Sequence, residues 1–225
     1  MLAVVMLLVL LAILLLPGLW VQYVLKRHSG ERKDFPGTGG DMARHLVDKY
    51  QLDGVVVEST DQGDHYDPSK KAVRLTADKL NGRSLTAVVV AAHEVGHALQ
   101  HHRGESMFSM RQILAVVSHW VQKLAPIALL ATPLLAFVTP AASRWSIIIA
   151  IGSMLLGTLV HLVTLPVEID ASFNKALPML REGKYLDQQD MEKAHSILRA
   201  AAFTYVAGSL MSLLNVWRWF RYLRR

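Results

Sequence analysis

The first 25 residues of the chain contain no charged side chain, and this feature constrains the fold more than any other. The run MLAVVMLLVLLAILLLPGLWVQYVL ends at Lys26, and about 20 such residues suffice to cross the hydrocarbon core of a bilayer as a helix. A cleaved signal peptide would begin with basic residues and end at a small-residue cleavage site, and this run offers neither. We therefore predict a retained transmembrane anchor over residues 1–25.

Three further apolar segments follow, at residues 124–142, 145–167 and 198–220. The first two are separated only by a few residues around Arg144, which predicts a transmembrane hairpin over residues 124–167. The last carries several polar side chains, so it either spans the membrane or lies against the other helices. The predicted fold is an α-dominated integral membrane protein with three or four transmembrane helices and a small α+β region at the membrane surface. The polar parts are residues 26–123 and 168–197, and residues 198–225 comprise the fourth apolar helix and a basic tail.

The charge pattern gives an expected orientation. Residues 26–123 carry 14 Lys and Arg. In a multi-pass membrane protein, the positive-inside rule predicts that such a region lies in the cytoplasm. The tail RWFRYLRR, also basic, would lie outside if the fourth apolar segment crosses, so its orientation stays open. We interpret the net charge of +6 as a feature that sets the orientation of the protein in the membrane and favours contact with anionic lipid. No zinc-finger spacing or base-stacking motif indicates nucleic acid as a partner.

The absence of cysteine excludes a disulfide framework and a thiolate nucleophile or metal ligand.

Within the first polar region, DMARHLVDKYQL has apolar residues at helical spacing and predicts a helix with Asp41 as its N-cap. The short β-branched runs GVVVES and KAVRLT predict a strand pair, with a turn at DPSKK between them. No feature of the sequence specifies an oligomeric state.

The stretch SLTAVVVAAHEVGHALQHH predicts a helix from its N-cap Ser84 to His102. His93 and His97 are four residues apart, so both imidazoles project from one face and can bind one zinc ion. Glu94 lies about 100° further around the helix, beside the metal rather than in its ligand set. A carboxylate in that position can take a proton from the water that zinc activates. The pattern therefore predicts a hydrolytic zinc site.

A catalytic zinc requires a third protein ligand and an open position for water. Glu168 and Asp170 are the first acidic residues after the third apolar segment and Pro166. We favour Glu168 as the ligand and keep Asp170 as the alternative. The structural interpretation for either carboxylate is that it only stabilises a helix N-terminus. His65 and Tyr66, just ahead of the DPSKK turn, are candidates for contact with the substrate or its oxyanion. The alternative for both is an ordinary structural role in a strand or turn.

Three motifs together resemble those of a known family. HYDPSKKAVRLT, AAHEVGHALQH and LPVEIDAS are similar, in this order, to motifs of the prokaryotic membrane zinc metallopeptidases of the YugP type, over about residues 37–205. The resemblance implies His93 and His97 as zinc ligands, Glu94 as the catalytic glutamate, and a downstream acidic ligand. In the wider gluzincin group, an aspartate four residues after the ligand glutamate orients the first histidine. Ser172 holds that place here, and Asp170 comes two residues early, so both are candidates for supporting the ligands.

The predicted function is that of a membrane-bound zinc-dependent metalloendopeptidase, with a small zinc-peptidase region at the surface of a prokaryotic cell membrane. Zn²⁺ is the expected cofactor, and a peptide or membrane-protein segment, bound as an added strand, is the expected substrate. An intramembrane protease is disfavoured because His101, His102 and Arg103 directly follow the motif. A metal-binding membrane protein or zinc transporter is the main alternative, and it gives Glu94 no role. An inert scaffold is the third.

Overall fold

The structure, a computed structural model, describes the backbone of residues 2–138 and 140–223. Side chains are described for residues 15–121 and 155–210 and at scattered positions elsewhere. The helices and strands are, in chain order, α1 (Leu2–Arg27), α2 (Gly39–Lys49), β1 (Val56–Ser59), β2 (His65–Asp67), β3 (Ala72–Leu75), α3 (Ala77–Leu80), α4 (Leu85–His102), α5 (Ser106–Val138), α6 (Pro140–Ile169), a π-helix (Asp170–Ala176), α7 (Leu177–Glu182) and α8 (Gln188–Leu223).

The chain divides into two compact units. The first comprises residues 1–105 and 167–204, and the second comprises residues 106–166 and 205–225. In the second unit, the hydroxyl of Ser209 on α8 donates a hydrogen bond of 3.3 Å to the carbonyl oxygen of His161 on α6. The first unit contains α2, the sheet, α3, α4, the π-helix and α7. All the candidate site residues therefore belong to the first unit.

The helix predicted in DMARHLVDKYQL, residues 41–52, is present as α2, but it ends at Lys49 and its N-cap is Thr38 rather than Asp41. The Thr38 side chain accepts from the backbone N–H of Asp41, and the Asp41 carboxylate accepts from the backbone N–H of Thr38. This reciprocal pair is a capping box, which satisfies two backbone donors at once. Because Asp41 is the third residue of the helix rather than its cap, the helix begins earlier than its first acidic residue suggests.

A three-stranded sheet lies beside α4. Its strand order is β1-β3-β2, with β1 parallel and β2 antiparallel to β3. The two predicted strands are confirmed as β1 and β3, and the structure adds β2, which aligns Tyr66 opposite Val73. β2 is too short, at three residues, to produce an alternating hydrophobic pattern in the sequence.

The predicted zinc helix is confirmed as α4, and the Ser84 side chain caps it by accepting from the backbone N–H of Ala87 at 3.1 Å. Most of α4 is buried, so it forms the centre of the first unit. Its apolar side chains pack in a core with those of α2 and β3, including Leu46, Leu75, Val89 and Val95, each fully buried. A polar site built on α4 is therefore held by a rigid, close-packed helix.

The prediction of three or four transmembrane helices is wrong. Among the residues that the structure describes, a single helix, Leu155–Glu182, is long and apolar enough to cross a membrane. This helix does not end at Pro166 but continues through the π-helix and α7, and about two fifths of its most apolar part is buried inside the protein. Apolar residues in the sequence thus serve internal packing as well. The spans predicted over residues 1–25, 124–142 and 198–220 fall partly or largely on side chains outside the described residues.

Candidate metal centre

Two helices bring three potential metal ligands together. His93 and His97 lie on α4, and Glu168 lies in the last turn of α6. The Nε2 atoms of both histidines are 3.3 Å from Oε2 of Glu168, and the three ligand atoms all lie within 4.8 Å of one another. The Glu168 side chain is almost fully buried, and those of the histidines are 14% and 7% exposed. The three donors therefore converge on one point at the edge of the core.

The helix that carries Glu168 packs very closely against α4. A methyl group placed on Gly96 would lie 2.8 Å from the carbonyl oxygen of Ala171, so only glycine fits between the two histidines at this contact. The opposing backbone at this point is the π-helix, which begins two residues after Glu168. A π-helical turn inserts an extra residue into a helix and is frequent at functional sites. Glu168 just before the π-helix, and Asp170 and Ser172 within it, all contact side chains of α4.

Each histidine has a partner at the nitrogen that faces away from Glu168. The hydroxyl of Ser172 lies 3.1 Å from Nδ1 of His93, and Oε1 of Gln100 lies 2.9 Å from Nδ1 of His97. For Nε2 to bind a metal, the ring proton must be on Nδ1. The Nδ1–H group then donates a hydrogen bond, which the oxygen of Ser172 or Gln100 can accept. Ser172, which stands where the wider gluzincin group has an aspartate, thus contacts the first histidine.

The orientation of Gln100 follows from its other contacts. Its amide nitrogen donates to the carbonyl oxygen of Val167 at 3.0 Å and to the carboxylate of Asp170 at 2.8 Å. Both of these partners only accept hydrogen bonds, so they must face the amide nitrogen, and the oxygen of Gln100 faces His97. The side chain is 1% exposed, and water therefore does not compete for these bonds. Gln100 fixes the protonated nitrogen of His97 and leaves Nε2 available for a metal.

Asp170 is placed outside the ligand cluster. Besides Gln100, its carboxylate accepts from the amide of Asn174 at 2.9 Å and from the ammonium group of Lys175 at 2.8 Å. Lys175 also pairs with Glu105 at 3.0 Å. The network thus links the end of α4 to the π-helix. The sequence did not indicate Gln100, Lys175 or Glu105, although Gln100 follows His97 by three residues and so lies on the same face of a helix.

Glu94 is 6% exposed and lies on α4 between the two histidines. Tyr66 on β2 is 9% exposed, and its hydroxyl lies 2.9 Å from Nδ1 of His101, one turn beyond His97. Burial, with a smaller contribution from the charge of Asp67, raises the pKa of Tyr66 to about 12. The hydroxyl therefore stays protonated at neutral pH and can donate a hydrogen bond. Burial also lowers the pKa of His101.

His65, the neighbour of Tyr66, makes a local contact instead. Its Nδ1 lies 2.8 Å from the carbonyl oxygen of Gly63, two residues earlier. This bond belongs to the turn that leads into β2. The structure therefore favours the structural interpretation for His65 and keeps Tyr66 as the residue of this pair with a contact to α4.

The donor set fits a zinc ion. Two imidazole nitrogens and one carboxylate oxygen are the protein ligands of a known class of catalytic zinc sites, in which a fourth position stays open for water or substrate. The supporting contacts at both Nδ1 atoms are also those that metal-ligating histidines make. His93, His97 and Glu168 would be the protein ligands of a zinc ion at this site.

Comparison with known proteins gives two matches over most of the chain. Residues 3–224 match the protein family described as "Putative neutral zinc metallopeptidase". The chain is also 34% identical over 208 residues to the protein named "Putative membrane protease YugP" from Bacillus subtilis (strain 168), and the alignment covers 88% of each chain. No solved structure matches the chain.

Proposed function

Because this chain belongs to that family of zinc metallopeptidases, as its three motifs predicted, we propose that it is a membrane-associated zinc-dependent endopeptidase. The observation that carries the proposal is the convergence of His93, His97 and Glu168 within 4.8 Å, at the edge of the core of the first unit. The named relative from Bacillus subtilis and the helix Leu155–Glu182 support the association with a membrane.

The catalytic role in this proposal belongs to Glu94. Zinc, when bound, polarises a carbonyl group and makes water more acidic. The Glu94 carboxylate takes a proton from the attacking water and later gives it to the amine that leaves as the peptide bond breaks. Glu94 sits next to one proposed ligand in the chain and on the same rigid helix as both histidines. Its burial keeps bulk water from competing for the proton.

Tyr66 is a candidate donor to the oxygen that becomes negatively charged as the carbonyl is attacked. Its hydroxyl is protonated and buried, and the contact with His101 places it one helical turn from His97. A donor that is fixed before the reaction stabilises developing charge at little cost in reorganisation. In this proposal Nδ1–H of His101 donates to the Tyr66 oxygen and positions it, the phenol proton is donated to the substrate oxygen, and His101 does not itself touch the substrate.

The substrate class we propose is an extended peptide segment bound to the sheet. Within the described residues, β2 pairs with β3 on one side only, so it is an edge strand of the sheet. An extended peptide can add to such an edge as a further strand. Methylation of alternate backbone nitrogens in a cleaved peptide should then raise its KM much more than methylation of the intervening ones, and equal effects would contradict strand addition.

We also propose that the first unit faces the cytoplasm. The support for this orientation is the 14 Lys and Arg of residues 26–123. The chain has no cysteine, so a single Ser69→Cys substitution in the exposed turn after β2 provides a unique label. An impermeant thiol reagent should modify it in inverted vesicles and leave it unmodified in intact cells. Labelling in intact cells would reverse the orientation.

The function is tested by removing and restoring the metal. The purified full chain, in neutral detergent, should cleave members of a peptide library, lose this activity on treatment with a zinc chelator, and regain it when one equivalent of Zn²⁺ is added. His93→Ala should lose both zinc and cleavage, whereas His119→Ala, on α5, should keep both. A protein that binds zinc stoichiometrically and cleaves no peptide would instead support the metal-binding or transport alternative.

A further inference from the structure

Two grooves lie side by side along the first turns of α8. One has a volume of about 680 Å³ and is lined by Arg181, Lys184, His195 and Arg199, among others. The other, of about 520 Å³, is lined by Arg27, His28 and Lys193, together with Gln189. Glu192 and Ser196 line both grooves and form the ridge between them. All these residues belong to the first unit. We call the two grooves and their ridge the α8 basic surface.

Positive charge is in excess on the α8 basic surface. Five Arg and Lys side chains line it, and Glu192 is the single carboxylate among the lining residues. Lys193 pairs with the buried Asp190 at 2.8 Å, whereas Arg27, Arg181, Lys184 and Arg199 make no ion pair within the described part of the chain. Burial, followed by the charges of Arg27 and Lys193, lowers the pKa of His28, in keeping with a positive potential at this surface. The surface is therefore suited to an anionic partner.

The α8 basic surface lies at a boundary between charged and apolar protein surface. Trp20 of α1 and Phe203 of α8 meet edge to face, with ring centroids 5.6 Å apart. Arg27 follows Trp20 by seven residues, about 10 Å along α1, and Arg199 precedes Phe203 by four residues, about 6 Å along α8. Because Arg27 and Lys193 line one groove, the charged ends of both helices lie on the same side of the aromatic contact.

The surface on the other side of the aromatic contact is apolar and exposed. Leu15, Leu16 and Leu19 of α1 are 58%, 60% and 59% exposed, respectively. Exposed leucines, then an aromatic pair, then a cluster of cations is the order of side chains found where a protein passes from the acyl chains to the headgroups of a bilayer. A nucleic acid or an acidic protein would account for the cations but not for the adjoining exposed leucines.

We propose that the α8 basic surface binds the headgroups of anionic phospholipids at the membrane surface. The arginines and lysines supply the attraction for the lipid phosphates, and the Ser196 hydroxyl and Gln189 amide can donate hydrogen bonds to phosphate oxygens. Near an anionic membrane each such cation strengthens binding by about fivefold. Glu192 opposes this attraction and is outnumbered. The proposal stands apart from the peptidase function, because none of these residues contacts His93, Glu94, His97 or Glu168.

The test measures which lipids the full chain retains. The protein is purified in neutral detergent micelles that contain equal amounts of phosphatidylglycerol and phosphatidylcholine, and the lipids that remain bound are quantified by mass spectrometry. The wild type should enrich phosphatidylglycerol by on the order of tenfold. The variant Arg181→Gln/Lys184→Gln/Arg199→Gln should lose most of this enrichment. The matched control Lys33→Gln/Lys70→Gln/Lys71→Gln removes the same charge from other exposed positions and should keep it.

The unfolding temperature of each variant establishes that it is folded, independently of zinc and of cleavage. Should the triple variant fail to fold, the pair Arg27→Gln and Lys193→Gln tests the second groove, and 0.5 M salt applied to the wild type should reduce the enrichment by screening. An equal retention of both lipids by the wild type overturns the proposal, as does an unchanged preference in a folded triple variant. Loss of the bound lipid on adding 5 mM inorganic phosphate would identify a phosphate site instead and would equally overturn it.

Discussion

The side-chain oxygen of Gln100 lies 2.9 Å from Nδ1 of His97, while the amide nitrogen of the same side chain binds the backbone of Val167, the residue before Glu168. One buried side chain therefore connects the two structural elements that supply the metal ligands. It orients a histidine on α4 and at the same time holds the end of α6 in register with it. The affinity of the site for zinc should depend on Gln100 as well as on the ligands.

Gln100→Leu should weaken zinc binding by about 10- to 100-fold, the usual cost of removing a group that supports a metal ligand. The substitution keeps a similar volume but leaves Nδ1 of His97 and the Val167 carbonyl oxygen without their partner. Competition with a chelator of known affinity measures the effect. Gln62→Leu, on the exposed turn before β2, is the control and should not change the affinity. An unaltered affinity in Gln100→Leu would mean that the packing alone orients His97.

The choice of third ligand between Glu168 and Asp170 can be decided by metal content. Glu168→Ala should abolish stoichiometric zinc binding, because Oε2 of Glu168 is the atom that both histidines face. Asp170→Ala should retain zinc with an affinity lower by about 10- to 100-fold, because this carboxylate acts on the site through Gln100. Zinc analysis of the two purified variants separates the roles, and the reverse pattern would transfer the ligand assignment to Asp170.

Gly96→Ala should disturb both the metal site and the fold. The added methyl group would lie 2.8 Å from the carbonyl oxygen of Ala171, a backbone atom that no side-chain rotation can move aside. Overpacking of this kind destabilises a protein by about 1–3 kcal/mol. We expect a lower unfolding temperature together with weaker zinc binding. Gly30→Ala is the control, since nothing lies within 4 Å of its added methyl group. Equal stability of the two variants would contradict the close contact of α4 with the π-helix.

Tyr66→Phe should reduce kcat while leaving zinc content unchanged. Removing one donor to a developing oxyanion costs about 10²- to 10³-fold in established cases. Because burial raises the pKa of Tyr66 to about 12, the hydroxyl stays protonated up to mildly alkaline pH, and Tyr66 should not produce an alkaline limb below pH 10. Tyr23→Phe, an exposed tyrosine on α1, should behave as the wild type. A lower zinc content in Tyr66→Phe would assign this residue to metal-site structure instead.

The sequence predicted the parts of this site that depend on local spacing. The interval between His93 and His97, the N-cap Ser84 and the apolar start of α4 specify a helix with two ligands on one face. The pairing of Gln100 with Asp170 and of His93 with Ser172 depends on how α4 packs on the π-helix. That packing brings together residues some 70 positions apart, which helical spacing along one segment cannot reveal.

The number of membrane-spanning segments, in contrast to the zinc helix, was predicted wrongly from the sequence. Hydropathy registers how apolar a segment is but not whether a neighbouring helix covers it. The helix Leu155–Glu182 joins an apolar segment to the buried residues around Glu168, so the count of spans inferred from apolar runs exceeded what the described residues support. The short strand β2 was missed for a related reason: its place is set by pairing with β3 rather than by a pattern of its own.

The most direct test of the account is the effect of Glu94→Gln on zinc content and on peptide cleavage in the same preparation. The glutamine keeps the size of the side chain but cannot act as a base that takes a proton from water. His93, His97 and Glu168 remain to hold the metal. We predict near-stoichiometric zinc with cleavage reduced by about 10²- to 10⁴-fold, and unchanged cleavage in the exposed control Glu31→Gln. Near-wild-type cleavage by a zinc-loaded Glu94→Gln protein would contradict the proposed mechanism.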